Sequence, residues 1–303
     1  MIAAGIDLGG TKIEMQLFDK DWHIVDRKRV PTPQDYPTLL QDLTKLINWA
    51  NAQGHRPAIG VGTAGVFHAT SGNFLAANLC ANGHPFRADL ETIAKGPIAF
   101  LNDARAFAVS EALFGAGRSY QRMFALTLGT GVGGSCCVDD ALQTDHSGLM
   151  GEVGHLPVPA HVISAHSLPI HVCGCGRVGC FEQYIAGPGM SRLAAQLTGQ
   201  NVTPETVVAQ CNGAMQQVWS VWCTLVAELI HILRLTVDPD VIVIGGGLSR
   251  IPNLIKDLNA VCDATGFPDM PHPALAIAHG GETSAARGAA YVAWQSLRKR
   301  EKL

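Results

Sequence analysis

The chain has 303 residues, of which 47% are hydrophobic and 16% are charged, and its formal net charge is -3. This length suits two domains, and the composition is that of a soluble globular protein with enough apolar surface for a sizeable core. A weakly acidic chain without a basic stripe is a poor candidate for nucleic-acid binding, and its apolar stretches are interrupted short of a membrane span, so we expect neither partner.

The first half of the chain predicts an α/β layered domain. Apolar runs at residues 2–6, 13–18 and 22–30 indicate strands, and apolar residues at helical spacing predict a helix over residues 37–52. Further strands are predicted at residues 58–61 and 98–101, and a helix at residues 104–114. Strands that alternate with helices after an opening strand pair are typical of this class.

The second half repeats the opening pattern, which indicates an internal duplication. A strand at residues 123–128 leads into a glycine-rich turn, and residues 135–138 look like its hairpin partner. A long apolar helix is predicted over residues 215–235 and a strand over residues 241–244. A closing helix at residues 285–297 would be capped by Thr283 or Ser284.

Three glycine-rich turns, each after an apolar strand, predict phosphate binding. They are Asp7-Leu8-Gly9-Gly10-Thr11-Lys12, Gly129-Thr130-Gly131-Val132-Gly133-Gly134 and Gly245-Gly246-Gly247. Glycines let backbone N–H groups approach an anion, while Thr11 and Thr130 add hydroxyl donors and Lys12 a positive charge. Asp7 is placed to hold Mg²⁺ through water. No turn fits a Walker A loop, and the second turn has dinucleotide spacing but precedes a strand instead of a helix.

A single carboxylate, Asp103, follows Asn102 at the end of a predicted strand. Open α/β sheets bind ligands at such ends, and a carboxylate there can accept a proton from an attacking hydroxyl. Asp103 could equally serve only as the N-cap of the helix that follows. The spacing alone leaves both interpretations open.

The segment Cys173-Gly174-Cys175-Gly176-Arg177-Val178-Gly179-Cys180 predicts a metal site. Its glycines allow the backbone to aim three thiolates at one point, and one imidazole would complete a tetrahedral zinc set. A disulfide is the alternative, but nine cysteines in a chain that opens without a signal peptide favour a reducing, cytoplasmic compartment. The spacing alone does not choose the fourth ligand among His155, His161, His166 and His171. Glu152 and Glu182 bracket the set.

In these segments the chain resembles the ROK family of bacterial sugar kinases and related repressors. The match is carried by the first two glycine turns, Leu101-Asn102-Asp103-Ala104, Gly151-Glu152-Val153-Gly154-His155, the cysteine segment through Glu182, and Val237-Asp238-Pro239-Asp240 with the glycines beyond it. These motifs occur in this order over essentially the whole chain. The resemblance implies a two-lobed α/β protein of the actin-like ATPase (ribonuclease H-like) fold with a structural zinc knot.

The resemblance also implies a division into lobes and an activity. Residues 1–116 would form the N-terminal lobe, residues 117–284 the C-terminal lobe, and residues 285–303 a closing helix packed on the first lobe. The implied activity is ATP-dependent phosphorylation of a sugar, with ATP in the cleft, Mg²⁺, and Zn²⁺ in a structural role. A homodimer is compatible with it.

The family's site residues map onto this chain by motif. Phosphates would be met by Asp7, Gly9, Gly10, Thr11 and Lys12 from one lobe and by Gly129, Thr130, Gly131, Gly133 and Gly134 from the other, with Gly245, Gly246 and Gly247 along the adenosine. Asp103 would be the base, and sugar hydroxyls would be held by Asn102, Glu152, His155 and Glu182. His155, Cys173, Cys175 and Cys180 would bind zinc, so the resemblance selects His155 as the fourth ligand.

Within the family, Val30-Pro31-Thr32-Pro33 and Arg87-Ala88-Asp89-Leu90 look most like N-acetylglucosamine kinases, so we expect the 6-phosphate of that sugar as product. Asn82-Gly83 resembles fructokinases, which with glucokinases form the alternative. Asn78 and Gly65 are candidates for the acyl-amide side of the sugar. The chain departs from the family at Thr63-Ala64-Gly65, where Pro-Gly is common, and at Arg105, where Asn is common.

A sugar-responsive regulator without catalysis is the rival from another class. A repressor of this family would need a winged helix-turn-helix segment before the first glycine turn. Asp7, the first residue of that turn, comes too early in this sequence for such a segment. A catalytically dead sugar sensor would be expected to lose Asp103 or the glycine turns, and the chain has both.

Overall fold

The computed structural model describes residues 1–53, 56–68, 70–76, 78–143, 148–210, 212–266, 269–281 and 284–300. The chain forms two compact units, Met1–Ser110 with Glu282–Leu303, and Glu111–Gly281. The sequence-based division after residues 116 and 284 stays a prediction. The candidate cap Thr283 and residues 301–303 of the closing segment lie outside the described residues.

The strands are β1 (Ala3–Leu8), β2 (Lys12–Phe18), β3 (Ile24–Pro31), β4 (Ala58–Thr63), β5 (Val66–Phe67), β6 (Phe74–Leu75), β7 (Ile98–Asn102), β8 (Arg122–Leu128), β9 (Val132–Val138), β10 (Ala141–Leu142), β11 (Val241–Gly245) and β12 (Ala274–Ile277). The helices are α1 (Tyr36–Asn51), α2 (Phe86–Ala94), α3 (Asp103–Phe114), α4 (Ala160–Ala165), α5 (Glu182–Ile185), α6 (Gly187–Thr198), α7 (Pro204–Ala209), α8 (Gly213–Thr236), α9 (Leu254–Thr265) and α10 (Ser284–Arg300). Short 3₁₀ turns occur at Val153–His155 and Gly247–Arg250.

Each unit contains one five-stranded sheet, and the two sheets share an arrangement. The strand orders are β3-β2-β1-β4-β7 and β10-β9-β8-β11-β12. In each sheet the central strand, β1 or β8, pairs antiparallel with the next strand along the chain and parallel with a later one, β4 or β11. This repeated topology confirms the internal duplication predicted from the sequence.

The predicted elements exist with bounds that shift by up to three residues, and two of these shifts have a structural cause. The strand predicted from residue 22 begins at Ile24, because Trp22 has φ 64° and belongs to the turn before it. The strand predicted from residue 135 begins at Val132, inside the glycine-rich segment, because Gly133 and Gly134 continue the ladder with β8. Helices α4, α5 and α7 are six residues or shorter, so their apolar periodicity was too brief to predict.

The unit that contains β1 is built around an unusually close helix. Helix α10 is rich in alanine, and its buried face consists of Ser284, Ala286, Gly288, Ala289, Ala290 and Ala293. A Cβ on Gly5 would lie 1.8 Å from the Ala286 oxygen, and one on Gly60 would lie 2.0 Å from the Ala289 oxygen. The helix backbone therefore lies directly on β1 and β4, and only glycine fits at these strand positions. On the other face of the sheet, α1 buries Leu39, Leu43, Leu46, Ile47 and Ala50.

The other unit is organised by α8, the longest helix. It is long and apolar enough to cross a membrane by length and composition, but 61% of its most apolar window is buried inside the protein, as in the core helix of a soluble protein. Its Trp222 is fully buried and donates its ring N–H to the Ile185 oxygen at 3.0 Å. Trp219 donates to Asp257 Oδ2 at 2.9 Å. The helix thus holds both α5 and α9.

The close contact of α10 predicts the effect of Gly60→Ala. The added methyl group would meet a backbone oxygen, so either the helix or the strand must move. We expect a loss of about 1–3 kcal/mol in the free energy of unfolding, measured by urea denaturation.

Gly96→Ala is the control, because a Cβ at Gly96 meets no atom within 4 Å. We expect the free energy of unfolding of that variant to equal or slightly exceed that of the wild type. Equal stability of the Gly60 and Gly96 variants would contradict the close packing.

Candidate active site

The unit that contains β1 brings three of the predicted site segments to one edge of its sheet. In the parallel register Leu8 pairs with Thr63, and Thr63 pairs with Asn102. The first glycine turn, Gly65 and Asp103 therefore all follow the carboxyl ends of neighbouring strands. This is the edge at which open α/β sheets bind ligands.

The first glycine turn is braced by backbone contacts. Gly9 donates its N–H to the Lys12 oxygen at 3.0 Å, and the Thr32 hydroxyl donates to the Gly9 oxygen at 2.6 Å. A Cβ on Gly10 would lie 3.2 Å from the Asn78 backbone oxygen. The turn is thus held between Thr32 and the loop that carries Asn78. Asp7 is the half-buried penultimate residue of β1, and Thr11 is exposed at the tip of the turn.

Two residues of the Thr63-Ala64-Gly65 departure have structural roles. The Thr63 side chain is buried and donates its hydroxyl to the Leu8 oxygen at 3.1 Å, so it serves the sheet and not a ligand. A Cβ on Gly65 would lie 2.4 Å from Phe74 Cζ and 2.7 Å from the Leu75 oxygen. Gly65 is therefore required by the β5–β6 hairpin that packs on it.

The local geometry at α3 bears on the choice between cap and base for Asp103. Asn102 Oδ1 accepts the N–H of Ala104 at 2.9 Å, which is the N-cap contact for a helix that begins at Asp103. Asp103 Oδ1 accepts the same N–H at 2.8 Å. Because Asn102 already caps the helix, the fold does not require Asp103 for that purpose. While Asn102 Oδ1 accepts this bond, its amide N–H groups can donate to a ligand.

The Asp103 carboxyl has a perturbed pKa. Its side chain reaches solvent, yet the protein atoms around the carboxyl remove part of its hydration, and this desolvation raises its pKa above the ordinary value. The N–H groups of Ala104 and of Asp103 itself oppose the shift. A carboxylate with a raised pKa is a stronger proton acceptor, as a general base requires.

The second unit brings its two glycine turns together. Gly129 follows β8 and Gly246 follows β11, and a Cβ on Gly246, which has φ 85°, would lie 2.3 Å from the Leu128 oxygen. Gly187, the first residue of α6, donates its N–H to the Gly129 oxygen at 2.8 Å. Beside these turns is a cavity of about 910 Å³, whose lining includes Gly129, Thr130, Gly247, Pro188, Thr203, Glu205 and Arg250. Its size and position suit a nucleotide.

Part of that lining escaped the sequence analysis. Helices α6 and α7 supply Pro188, Ser191, Thr203, Pro204 and Glu205, and the residues after β11 supply Arg250. Each of these helices begins with a proline in its first turn, a start signal present at Pro188 and Pro204. That signal could have located the helices but not the cavity between them.

Gly133 and Gly134 lie in strand β9 rather than in the turn. Gly134 N–H donates to the Gly151 oxygen at 2.8 Å, and a Cβ on Gly151 would lie 2.0 Å from the Gly134 oxygen. A Cβ on Gly154 would lie 2.2 Å from the Val132 oxygen. These glycines let residues 151–155 lie directly on β9, which fixes Glu152 and His155 beside the second turn.

The predicted metal ligands converge. One ligand atom from each of His155, Cys173, Cys175 and Cys180 lies within 4.8 Å of all the others. The Sγ atoms of Cys175 and Cys180 are 3.7 Å apart, and Cys173 Sγ lies 3.5 Å from His155 Nδ1. A disulfide needs sulfurs about 2.05 Å apart, so these cysteines are not bonded to each other.

These separations fit zinc. Tetrahedral geometry with ordinary Zn–S and Zn–N bond lengths places two sulfurs about 3.8 Å apart and a sulfur and a nitrogen about 3.6 Å apart. Gln183 supports the set by donating its side-chain amide to Cys173 Sγ at 3.5 Å. Four protein ligands leave no open position, so a zinc ion here would be structural.

His155 faces two ways. Its Nδ1 points at Cys173, while its Nε2 lies 3.8 Å from Glu152 Oε2. The imidazole can thus serve the metal with one nitrogen and a ligand hydroxyl with the other. His161 instead lies with its Nε2 3.2 Å from Glu228 Oε1, away from the cluster.

Glu182 begins α5, two residues after Cys180. Its Oε2 accepts the N–H of Val132 at 3.0 Å. Glu152, His155 and Glu182 therefore border the second glycine turn, and all three belong to the segment that the cysteine cluster holds.

The ligand set predicts that zinc copurifies with the chain in a one-to-one ratio. Cys175→Ser should lower both the zinc content and the melting temperature, because a closed thiolate site contributes to folding free energy. Elemental analysis and thermal unfolding measure the two quantities.

Cys80→Ser is the matched control. Cys80 lies outside the cluster, and serine can keep its hydrogen bond to the Pro33 oxygen, 3.3 Å away. Zinc content equal to wild type in the control and reduced in the Cys175 variant is the expected pair of results. Fully active protein without zinc would contradict the structural role.

Curated relatives match the chain along nearly its whole length. An N-acetylgalactosamine kinase (AgaK) from Shewanella sp. strain ANA-3 is 37% identical over 294 residues, which is 94% of each chain. An N-acetyl-D-glucosamine kinase from Pectobacterium atrosepticum is 34% identical over 294 residues, 94% of this chain and 97% of the relative.

Solved structures show the same likeness. A ROK hexokinase from Thermus thermophilus has a TM-score of 0.87 at 26% identity, covering 99% of this chain and all of that one. A ROK family glucokinase from Streptomyces griseus, solved with glucose and AMPPNP, has a TM-score of 0.77 at 26% identity, covering 97% of this chain and all of that one. The ROK family model matches residues 3–296. With its sequence motifs, duplicated sheets and Cys₃His cluster, the chain belongs to the ROK family.

Proposed function

We propose that the protein is an ATP-dependent kinase that phosphorylates the C6 hydroxyl of an N-acetylhexosamine, with N-acetyl-D-glucosamine as the lead substrate. The observation that carries the chemistry is Asp103, a solvent-accessible carboxylate with a raised pKa at the carboxyl end of β7. The observation that carries the substrate class is the identity of 34% or more to two N-acetylhexosamine kinases over 94% of the chain.

Phosphoryl transfer needs positioning, charge neutralisation and one base. Asp103 accepts the proton of the C6 hydroxyl while the hydroxyl oxygen forms a bond to the γ-phosphorus. The bond between the γ-phosphorus and the β,γ-bridging oxygen breaks, and ADP is released. Backbone N–H groups of the turns at Gly9–Gly10 and Gly129–Gly131 neutralise the phosphate oxygens. The cavity lined by Gly247 and Thr203 takes the nucleoside.

Asp7 would hold Mg²⁺ through water, and the ion would supply charge neutralisation for the phosphates. His155, Cys173, Cys175 and Cys180 would hold zinc away from the chemistry. Their contribution is to fix Glu152 and Glu182, whose carboxylates accept hydrogen bonds from sugar hydroxyls. Asn102 contributes amide donors, and Asn78 and Gly65 lie towards the acyl-amide side.

N-acetyl-D-galactosamine is the second candidate substrate. The N-acetylgalactosamine kinase from Shewanella has a higher identity to this chain than the glucosamine kinase from Pectobacterium, 37% against 34%. The two sugars differ only in the orientation of the C4 hydroxyl, so both fit the mechanism above. Fructose and glucose lack the amide and are weaker candidates. A cytoplasmic location and a homodimer accompany the proposal as predictions.

Asp103→Asn tests the base. We expect the turnover number to fall by about 10²–10⁴-fold while the sugar still binds with near wild-type affinity, because only the proton acceptor is lost. Steady-state kinetics and calorimetric titration with the sugar measure the two effects. Turnover close to wild type would show that Asp103 acts only at the helix terminus.

The same variant has a stability signature. A carboxyl whose folded-state pKa is raised binds its proton more tightly when folded, so its charge opposes folding above that pKa and ceases to do so in acid. Asp103→Asn should therefore unfold at or above the wild-type temperature at pH 7, and this advantage should vanish as the pH falls below the ordinary pKa of an aspartate. A large destabilisation at pH 7 would identify Asp103 as a structural residue.

Specificity constants for four sugars test the substrate class. Buried polar groups that bind the acetamido group would be left unpaired by a sugar without it. We expect N-acetylglucosamine and N-acetylgalactosamine to exceed glucose and fructose by at least about tenfold, with N-acetylglucosamine first. If N-acetylgalactosamine has the highest specificity constant, only the predicted preference at C4 is wrong. If glucose or fructose has the highest specificity constant, the assignment of an acetamido-binding site is wrong.

A further inference from the structure

The carboxylate of Glu182 touches the backbone of the second glycine turn. Its Oε2 accepts the Val132 N–H at 3.0 Å, and the same oxygen lies 2.8 Å from where a Cβ on Gly131 would stand. Within the described part of the chain, no hydrogen bond engages Glu182 Oε1. One carboxylate therefore has one oxygen on the turn and one available to a ligand.

Glycine at position 131 follows from this contact. Neither Gly129 nor Gly131 has a positive φ, so backbone conformation does not demand glycine at either position. At Gly131 a methyl group would displace the Glu182 carboxylate, whereas at Gly129 the nearest atom is 3.7 Å away, an ordinary contact. The Glu182 carboxylate occupies the space that a side chain at position 131 would need.

We propose that Glu182 is a positioning residue for the phosphate-binding turn as well as a sugar ligand, so that sugar and nucleotide binding assist each other through its carboxylate. This inference rests on the proposed function. A sugar hydroxyl on Oε1 immobilises the carboxylate, and the immobilised Oε2 fixes the Val132 N–H and the Gly131 backbone. The turn then loses less freedom when the nucleotide phosphates bind, which is positive coupling between the two ligands.

The support behind Glu182 makes this coupling rigid. Its helix α5 starts two residues after Cys180, and the neighbouring Gln183 contacts Cys173 Sγ at 3.5 Å. Arg192 clamps Gln183 with hydrogen bonds of 2.8 Å to its backbone oxygen and 3.1 Å to Oε1. The backbone of Glu182 is thus anchored on the Cys₃His cluster, and its carboxylate is the part that can respond to a ligand.

Two substitutions in the same turn form the first experiment. Gly131→Ala and Gly129→Ala each add one methyl group, but only the first displaces Glu182. Sugar affinity is measured by calorimetric titration of N-acetylglucosamine without nucleotide, so ATP binding and turnover do not enter. We expect the Kd to rise about tenfold in Gly131→Ala and less than about twofold in Gly129→Ala. Equal sugar affinities in the two variants would overturn the proposal.

The reciprocal experiment does not depend on the Gly131 variant folding. Binding of Mg²⁺ with AMPPNP is titrated in wild type and in Glu182→Ala, each with and without saturating sugar. In wild type the sugar should tighten nucleotide binding by about fivefold or more, and in Glu182→Ala this factor should fall to about one while zinc content stays at wild type. A wild-type factor of one, or a factor unchanged in the variant, would overturn the proposal.

The outcomes separate this inference from the proposed function. Wild-type protein that binds none of the four sugars and transfers no phosphate would refute the function. Wild-type protein that phosphorylates an N-acetylhexosamine, but whose sugar affinity is indifferent to Gly131→Ala and whose nucleotide affinity is indifferent to sugar, would refute the shared role of Glu182 alone.

Discussion

The site residues between positions 151 and 182 depend on one cluster, in which one imidazole and three thiol groups converge. Residues 151–182 contain little regular structure, and their longest helix has six residues. Burial raises the pKa of the Cys180 thiol to about 12, so a bound cation would favour its thiolate form. A single tetrahedral ion bound there would join both ends of this segment, His155 near its start and Cys180 near its end. Glu152 and Glu182 lie close to those ligands in sequence, so the ion would hold Glu152 in its loop and Glu182 at the start of the four-residue helix α5.

Glycine residues also determine the packing, because they allow backbone contacts that a methyl group would prevent. Gly5 and Gly60 let α10 lie on the sheet of the first unit, and Gly134 and Gly151 let the segment before Glu152 lie on β9. In the first unit the result is a helix that packs on the strands, and in the second it is a loop with Glu152 and His155 that packs on β9.

The sequence predicted the elements that repeat a strong pattern and the residues that carry a family motif. It predicted β1, α1 and α8 from their apolar patterns and the three cysteine ligands from their spacing, whereas His155 was selected only by the family resemblance. It could not predict how a side chain is used once the fold forms. Glu111 is fully buried and accepts three backbone N–H groups, those of Ala116, His279 and Gly280. Two of these partners lie more than 160 residues away in the chain, and no local pattern encodes such a contact.

The same limit explains the departures near the sugar. Thr63 differs from the family pattern, and from sequence alone it could be taken for a specificity residue. Its hydroxyl is bound to the Leu8 oxygen, so the threonine side chain is engaged by the sheet. Asn102 also has a structural role, because its side-chain oxygen caps α3 while its amide N–H groups can donate to a ligand. Asn78 is the residue proposed for the acyl-amide side of the sugar. Its backbone touches the first phosphate turn at Gly10, so the loop that would read the acetamido group also bounds the phosphate site.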